Sequence, residues 1–261
     1  MPNGWSGTAT AFDASFARLC AGAVPPLVAS LGPGPGRSLL DVGCGSGNVV
    51  AAARSAGFTA VGTDAESSMV RLAAQQHPDV SFVQGALPRL PFACSAFDAA
   101  AANFVVNHTA DPRVSIRELA RMLVPGGRLA LTLWTAGVSP LNQLWDDVLA
   151  AASVAPMPAR SLPPDKDFER SPAGLAAIVG GAGLEDVEVS EVSWLFQISA
   201  EDLWRGVEGG VATIGLTYRA QSLAAQRRMR AAYLRLTHEQ HPDGDLPFPS
   251  SALLACGRSP D

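Results

Sequence analysis

Leu39-Leu40-Asp41-Val42-Gly43-Cys44-Gly45-Ser46-Gly47 is the stretch on which the reading of this chain turns. Ser38 to Val42 is a short apolar run closed by glycines, the pattern of a buried strand. Asn48 to Ala56 follows as a helix that Gly57 ends. Between them, glycines at alternate positions let the backbone turn sharply and put no Cβ in the way of a ligand. Ligands of open α/β sheets sit at the carboxyl ends of the strands, where this loop falls. Asp41 precedes the first glycine by two residues. A carboxylate there can accept hydrogen bonds from an ammonium group, directly or through water. A tight structural turn accounts for the glycines, but not for an acid beside them.

Downstream, Phe58 to Thr63 reads as the next strand and Ala65 to Gln76 as the next helix, stopped before Pro78. Asp64 sits between them, about twenty residues after the first glycine, where an acid can bind both hydroxyls of a ribose. Taken alone, Asp64 could equally cap the helix beginning at Ala65. A dinucleotide fingerprint would place a glycine where this chain has Asn48. Val80 to Val83 and Phe97 to Phe104 are further strands. The alanines of the second suit a central strand with helices on both faces. Arg113 to Leu123 is a helix that Pro125-Gly126-Gly127 ends, and Arg128 to Trp134 is a fifth strand. This alternation means βαβ units and a mostly parallel sheet.

Outside that core, Phe12 to Ser30 has helical spacing and stops at Gly32-Pro33-Gly34-Pro35-Gly36. After Trp134, Pro140 to Ala152 and Pro172 to Gly180 read as helices, with a Pro-rich loop over Ala155 to Pro164. Val187 to Ile198 is a strand, and Ser199 is an N-cap for Glu201 to Val207. Gln221 to Glu239 is a long helix, and Pro249 to Gly257 a last strand. The expected organisation is one domain. It has a helical cap over 1–36, a nucleotide-binding core over 37–135 and the remaining sheet over 136–198. A helical lid over 199–248 precedes the last strand, 249–261.

The net charge of −5 argues against nucleic acid as the main partner, because phosphates call for a basic surface. Arg227, Arg228 and Arg230 read as a solvated helix face. Cys20, Cys44, Cys94 and Cys256 form no CxxC pair, so neither a zinc site nor a disulfide framework is expected. Met1-Pro2-Asn3-Gly4-Trp5 has no signal-peptide pattern, and no apolar stretch is long enough for a bilayer. The expected location is the cytoplasm, and the expected state a monomer or homodimer without membrane insertion.

Several segments carry a resemblance in order along the chain. They are Leu39 to Gly47, Val61 to Asp64, Phe82-Val83-Gln84-Gly85, Leu90-Pro91-Phe92, Phe97-Asp98 and Glu118 to Arg128. Together they resemble class I S-adenosylmethionine (SAM) dependent methyltransferases, over roughly residues 10 to 135. The nearest likeness is to the small-molecule branch often called type 11, which includes enzymes of quinone biosynthesis. The last strand, Ala252 to Arg258, is similar to the end of that fold. The resemblance implies a Rossmann-like sheet of seven strands, one of them antiparallel, with SAM as cofactor and S-adenosylhomocysteine as product. It implies that Asp41, Gly43, Cys44 and Gly45 surround the methionine part of SAM and that Asp64 binds its ribose. Ala65, Met69 and the backbone of Ala86 and Leu87 would meet the adenine, and Asn103 and Phe104 would border the cofactor. Ala86 departs from the pattern, since many relatives have an acid there for the adenine amino group.

Methyl transfer from a sulfonium is a direct displacement, so the protein must orient, desolvate and, for some acceptors, supply a base. His108 is the candidate base, because an imidazole titrates near neutral pH. It could instead hydrogen-bond only a loop or SAM. Candidate acceptor contacts are Asn107 and His108, Trp5, Phe12 and Phe16 from the N-terminal segment, and Trp204 and Tyr218 from the insertion, with Val211 and Ile214. Core packing is the competing role for the aromatic ones. Gly206, Gly209, Gly210 and Gly215 would make the insertion mobile. The acceptor would be a small molecule, apolar or aromatic, with a secondary metabolite as one such class. A protein that binds SAM without methylating, as a cyclase-like scaffold or ligand carrier, would keep the same loop and acids. A nicotinamide oxidoreductase fits less well, given Asn48 and the absence of a Tyr-x-x-x-Lys pair.

Overall fold

The computed structural model describes residues 5–158, 161–242 and 244–261. The first five residues therefore contribute only Trp5, and part of the Pro-rich loop lies outside the described residues. The chain starts with helices α1 (Ala9–Ala14), α2 (Phe16–Ala21) and α3 (Val24–Ser30). The core follows as β1 (Ser38–Val42), α4 (Asn48–Ser55), β2 (Thr59–Asp64), α5 (Ser67–Gln76), β3 (Ser81–Gln84) and β4 (Phe97–Asn103). A 3-10 turn over Val106–His108 leads to α6 (Pro112–Arg121), β5 (Leu123–Trp134), α7 (Pro140–Ala152), α8 (Pro172–Gly180) and β6 (Glu185–Ser199). Helices α9 (Ala200–Glu208), α10 (Ala212–Arg219) and α11 (Leu223–Gln240) precede β7 (Asp245–Arg258).

The seven strands form one sheet in the order β3-β2-β1-β4-β5-β7-β6. Pairs from β3 to β5 are parallel, and β7 runs antiparallel to β5. This is the Rossmann-like α/β architecture that the sequence leads one to expect, with the helical insertion before the last strand. Side chains alternate between the faces of a strand. Leu40 and Val42 join Ala100 and Ala102 in a core covered by Ile116 and Leu119 of α6 and Leu175 of α8. Leu39 joins Ala99 and Ala101 in the opposite core, under Leu27 of α3 and Val50 of α4. Asp41 shares that second face. The order in which strands are added reverses between β1 and β4, while both run the same way, so a crevice opens at the carboxyl ends of these two strands.

Three local expectations need correction. The single helix read over Phe12 to Ser30 is three short ones. Ser15 leaves helical geometry (φ −130°, ψ −90°), and Pro25 and Pro26 start α3, because a proline inside a continuous helix would lack its N–H and strike a carbonyl. Pro125-Gly126-Gly127 does not separate helix from strand. It is an irregularity inside β5, where pairing shifts register and Gly126 takes φ +72°. Residues 212–219, for which no helix was expected, form α10.

The chain divides into two compact units. One falls within residues 1–22, 137–160 and 194–250, the other within 23–136, 161–193 and 251–261. No helix among the described residues is long and apolar enough to cross a membrane.

The Phe97-Asp98 motif has a structural task in the second unit. The Asp98 carboxylate accepts from the Ser38 N–H and the Ser38 hydroxyl, both at 2.8 Å, tying the start of β4 to the start of β1. These bonds, with Arg37 nearby, hold the Asp98 pKa below the usual carboxylate range. Its stabilisation is therefore present above the unfolded pKa and lost as pH falls through the lower folded one. Asp98→Ala should cost about 1–3 kcal/mol in urea unfolding at pH 7. The deficit should shrink near pH 3, and an equal deficit at both pH values would refute the assignment.

Candidate active site

The loop after β1 is held open by backbone geometry. Gly43, Gly45 and Gly47 have φ of +69°, +53° and +97°, a region that L side chains resist. The Gly43 and Cys44 N–H groups donate to the Thr63 carbonyl at 2.7 and 3.0 Å, fixing the loop to the end of β2. A Cβ on Gly43 would strike Val105, and one on Gly47 would strike His77. His77 is half-buried beside that turn and Phe82.

Two acids meet this loop in different states. Asp64 accepts from the Gly45 N–H at 3.0 Å and the Glu66 N–H at 2.9 Å. It does not cap the following helix, since α5 starts at Ser67 with Glu66 as its N-cap. Burial pushes the Asp64 pKa up, and the two N–H bonds oppose that rise. Asp41 is 1% exposed, and neither of its carboxylate oxygens has a well-formed hydrogen bond, although the Val50 N–H lies close enough to lower its pKa slightly. Burial, and then the Asp64 charge, push the Asp41 pKa up to about 8. Buried polar groups normally have partners, and an orphan carboxyl at a glycine loop fits a ligand's ammonium group. The hydroxyls of Ser46 and Thr63 are also buried without partners. Sequence reasoning missed both, because a hydroxyl's lack of an internal partner shows only in three dimensions.

The end of β4 forms the other wall of the crevice. Thr132 of β5 donates to Asn103 Oδ1 at 2.6 Å and accepts from the Phe104 N–H at 2.9 Å. Phe104 takes φ +57°, unusual for a bulky residue, and stacks on Trp134 with ring centroids 3.9 Å apart. Neither Thr132 nor Trp134 carried a sequence signal. The Asn107 amide nitrogen lies 3.3 Å from Nε2 of the exposed His108, and Asn107 Oδ1 is buried without a partner.

The segment after β3 is tied to β2 by the Gly85 N–H, which donates to the Asp64 carbonyl at 2.9 Å. Ala86 is exposed, Leu87 half-buried, and Met69 of α5 buried. Glu118 accepts from the Leu90 N–H at 2.8 Å and pairs with Arg121, which reaches the Phe92 carbonyl. The Leu90-Pro91-Phe92 and Glu118-to-Arg121 motifs therefore meet as one clamp on this segment.

Residues 40–131 match the family model of the methyltransferase domain. That stretch is a methyltransferase domain. The chain is 31% identical over 118 residues to the demethylmenaquinone methyltransferase of Paenarthrobacter aurescens, covering 45% of this chain and 47% of that protein. The match thus spans about half the length of that relative. Among solved structures, a phosphoethanolamine N-methyltransferase of Haemonchus contortus in complex with SAM has a TM-score of 0.55 and 17% identity, covering 91% of this chain and 52% of the other. The cyclase SpnF has a TM-score of 0.53 and 22% identity, covering 92% and 80%. Likeness at this level concerns the fold.

Within the methyltransferase domain, the structure brings Asp41, Gly43, Cys44, Gly45 and Asp64 together around one loop, and places Asn103 at the end of β4 with Phe104, Asn107 and His108 following it. The remaining aromatic candidates lie in the other unit. There, Trp5 meets Phe12 edge-on at 5.6 Å, and Phe16 lies against Gly206. Trp204 is 1% exposed, with Tyr218 edge-on to it at 5.4 Å and Tyr233 at 4.8 Å. The glycines of this unit permit close packing. A Cβ on Gly206 would meet Ser15 and Phe16, one on Gly209 would strike Ala11, and one on Gly215 would meet Gly210. Arg227 and Arg228 are exposed as expected, but Arg230 is not part of a solvated face, since it packs over Trp204 and Tyr233.

Because the folded Asp41 pKa lies above its unfolded value, the folded chain holds the extra proton between about pH 4 and 8. Stability is then lost as pH rises through that window. Asp41→Asn should therefore raise the stability of the ligand-free protein at pH 8, on the order of 1–3 kcal/mol after relaxation. Thermal melts should show the gap closing toward pH 4, and a variant that melts lower than the parent at pH 8 would contradict this account.

Proposed function

We propose that the protein transfers the methyl group of SAM to a small, apolar or aromatic acceptor by direct displacement, in the cytoplasm. The observation that carries this reading is the orphan Asp41 carboxyl at the glycine loop, beside an Asp64 already oriented by the Gly45 N–H. The match of residues 40–131 to a methyltransferase domain supports it. When bound, SAM supplies a methyl group on a positively charged sulfur, an electrophile that needs no metal. The chain's own residues do the rest. Asp41, once ionised, holds the ammonium end, and the Gly43 to Gly45 backbone lets the methionine part approach. Asp64 holds the ribose hydroxyls. Ala65, Met69 and the Ala86–Leu87 backbone border the adenine without a side-chain acid. Asn103 and Phe104, fixed by Thr132, close the wall beside the reacting centre. His108, exposed just beyond β4, would take a proton from an acceptor that needs one removed. Positioning is the main catalytic device and His108 an aid to it.

Calorimetry with SAM and with NAD tests the donor. Asp64→Ala should weaken SAM binding by roughly tenfold or more. Unchanged affinity would remove its ribose role, and binding of NAD but not SAM would sink the reading. The acceptor is tested by S-adenosylhomocysteine release across phenolic, amine and carbon-acid compounds. Tight SAM binding with no release from any of them would favour a scaffold that does not methylate. His108→Ala should lower turnover more than SAM affinity and flatten the neutral limb of the pH–rate profile. A profile identical to the parent's would make His108 structural.

A further inference from the structure

Thr132 lies at the carboxyl end of β5, opposite Asn103 in the parallel pairing with β4. It is fully buried. Its hydroxyl accepts from the Phe104 N–H at 2.9 Å and donates to Asn103 Oδ1 at 2.6 Å. The Phe104 amide can only donate, so the one hydroxyl proton goes to Asn103 and sets the orientation of its side-chain amide. Phe104 takes φ +57°, in the left-handed region that a bulky side chain resists. A residue stays in such a conformation only where its surroundings hold it. The Thr132 bond to its N–H and the stack on Trp134 are two of those constraints.

The turn at Phe104 decides where the next residue points. Val105 packs against the core and fills the space beside Gly43, where a Cβ on the glycine would strike it. The Val105 carbonyl also accepts from the His108 N–H at 2.9 Å, so Val105 starts the turn that carries Asn107 and His108. A line of contacts thus runs from a hydroxyl on β5 to the glycine loop after β1, all of it within the unit that holds residues 23–136. We propose that Thr132 is a positioning residue for the cofactor. By locking the left-handed turn at Phe104 it seats Val105 against Gly43, and so fixes the loop that receives the amino-acid end of SAM. This rests on the reading of Gly43 to Gly45 as the cofactor loop.

The test is calorimetry on the full chain with S-adenosylhomocysteine and with methylthioadenosine, which lacks the amino-acid end. Thr132→Val keeps the shape of the side chain and removes the hydroxyl. It should weaken S-adenosylhomocysteine binding roughly tenfold or more, and methylthioadenosine binding by less than about threefold. Thr132→Ser should restore most of the lost affinity. Val105→Ala should weaken S-adenosylhomocysteine in the same selective way. The double variant should lose little more than either single one, because both act through one contact. A Thr132 that only supports the fold would weaken both ligands alike. Equal weakening of the two, an unchanged S-adenosylhomocysteine affinity in Thr132→Val, no rescue by serine, or full additivity would overturn the proposal. If Thr132→Val does not fold, Val105→Ala decides, and an affinity equal to the parent's overturns it. A parent chain that binds neither ligand would strike the donor assignment itself. A parent that binds both, with Thr132→Val unchanged, strikes only this inference.

Discussion

A carboxyl group with no internal partner, at the end of a central strand, is the constraint around which the methyltransferase domain is built. Asp41 lies under α4 on the same face as Leu39, where water cannot solvate it. Burying an ionised carboxylate costs several kcal/mol unless something pairs with it. In the ligand-free protein the cost is avoided by protonation, which is the meaning of a pKa near 8. Asp64 next to it deepens the problem, but its own charge is steadied by two backbone N–H groups. The two acids are thus unequal by construction. One is already satisfied and oriented, and the other is left for a cation.

Backbone, more than side chains, supplies that arrangement. The positive φ of Gly43 and Gly45, and the N–H groups donated to the Thr63 carbonyl, come from the turn itself. The alanines of β4 are fully buried in the cores on both faces of the sheet, where their small side chains let helices approach closely. Around it, Asp98 with Ser38 and Glu118 with Leu90 pin the strand start and the adenine-side segment. These motif residues hold the frame and touch none of the reacting groups.

The same distinction explains what could be read from the sequence. Strand and helix positions in the core followed from apolar runs and glycine stops, because each depends on neighbours a few residues away. Asp41 and Asp64 were legible since their spacing to the glycines is local. Errors arose where tertiary packing overrode local pattern. Helical spacing ran unbroken through Ser15, whose hydroxyl turns back to the Ala11 carbonyl, and on to the prolines that restart the helix. Pro125-Gly126-Gly127 looked like a terminator, yet pairing of β5 with β4 absorbs it as an irregularity. Thr132 meets Asn103 across 29 positions of chain, a pairing no periodicity encodes.

Arg230 belongs to this last class, and side-chain assemblies of its kind show why a methyl donor is easier to read than an acceptor. A nucleoside cofactor is gripped by backbone turns, which leave glycines and acids at fixed short spacings. A variable small molecule is gripped by side chains that only folding assembles. Arg230, Trp204 and Tyr233 are drawn from two helices, and in the sequence the arginine sits inside a run that reads as solvated surface. What distinguishes it from the exposed Arg227 and Arg228 is its place over two buried rings. Charge left uncompensated inside a folded unit is costly. For Arg230 that cost is met by the faces of Trp204 and Tyr233 and by the solvent its half-buried side chain still reaches, so the arginine is held by packing that only the folded chain assembles.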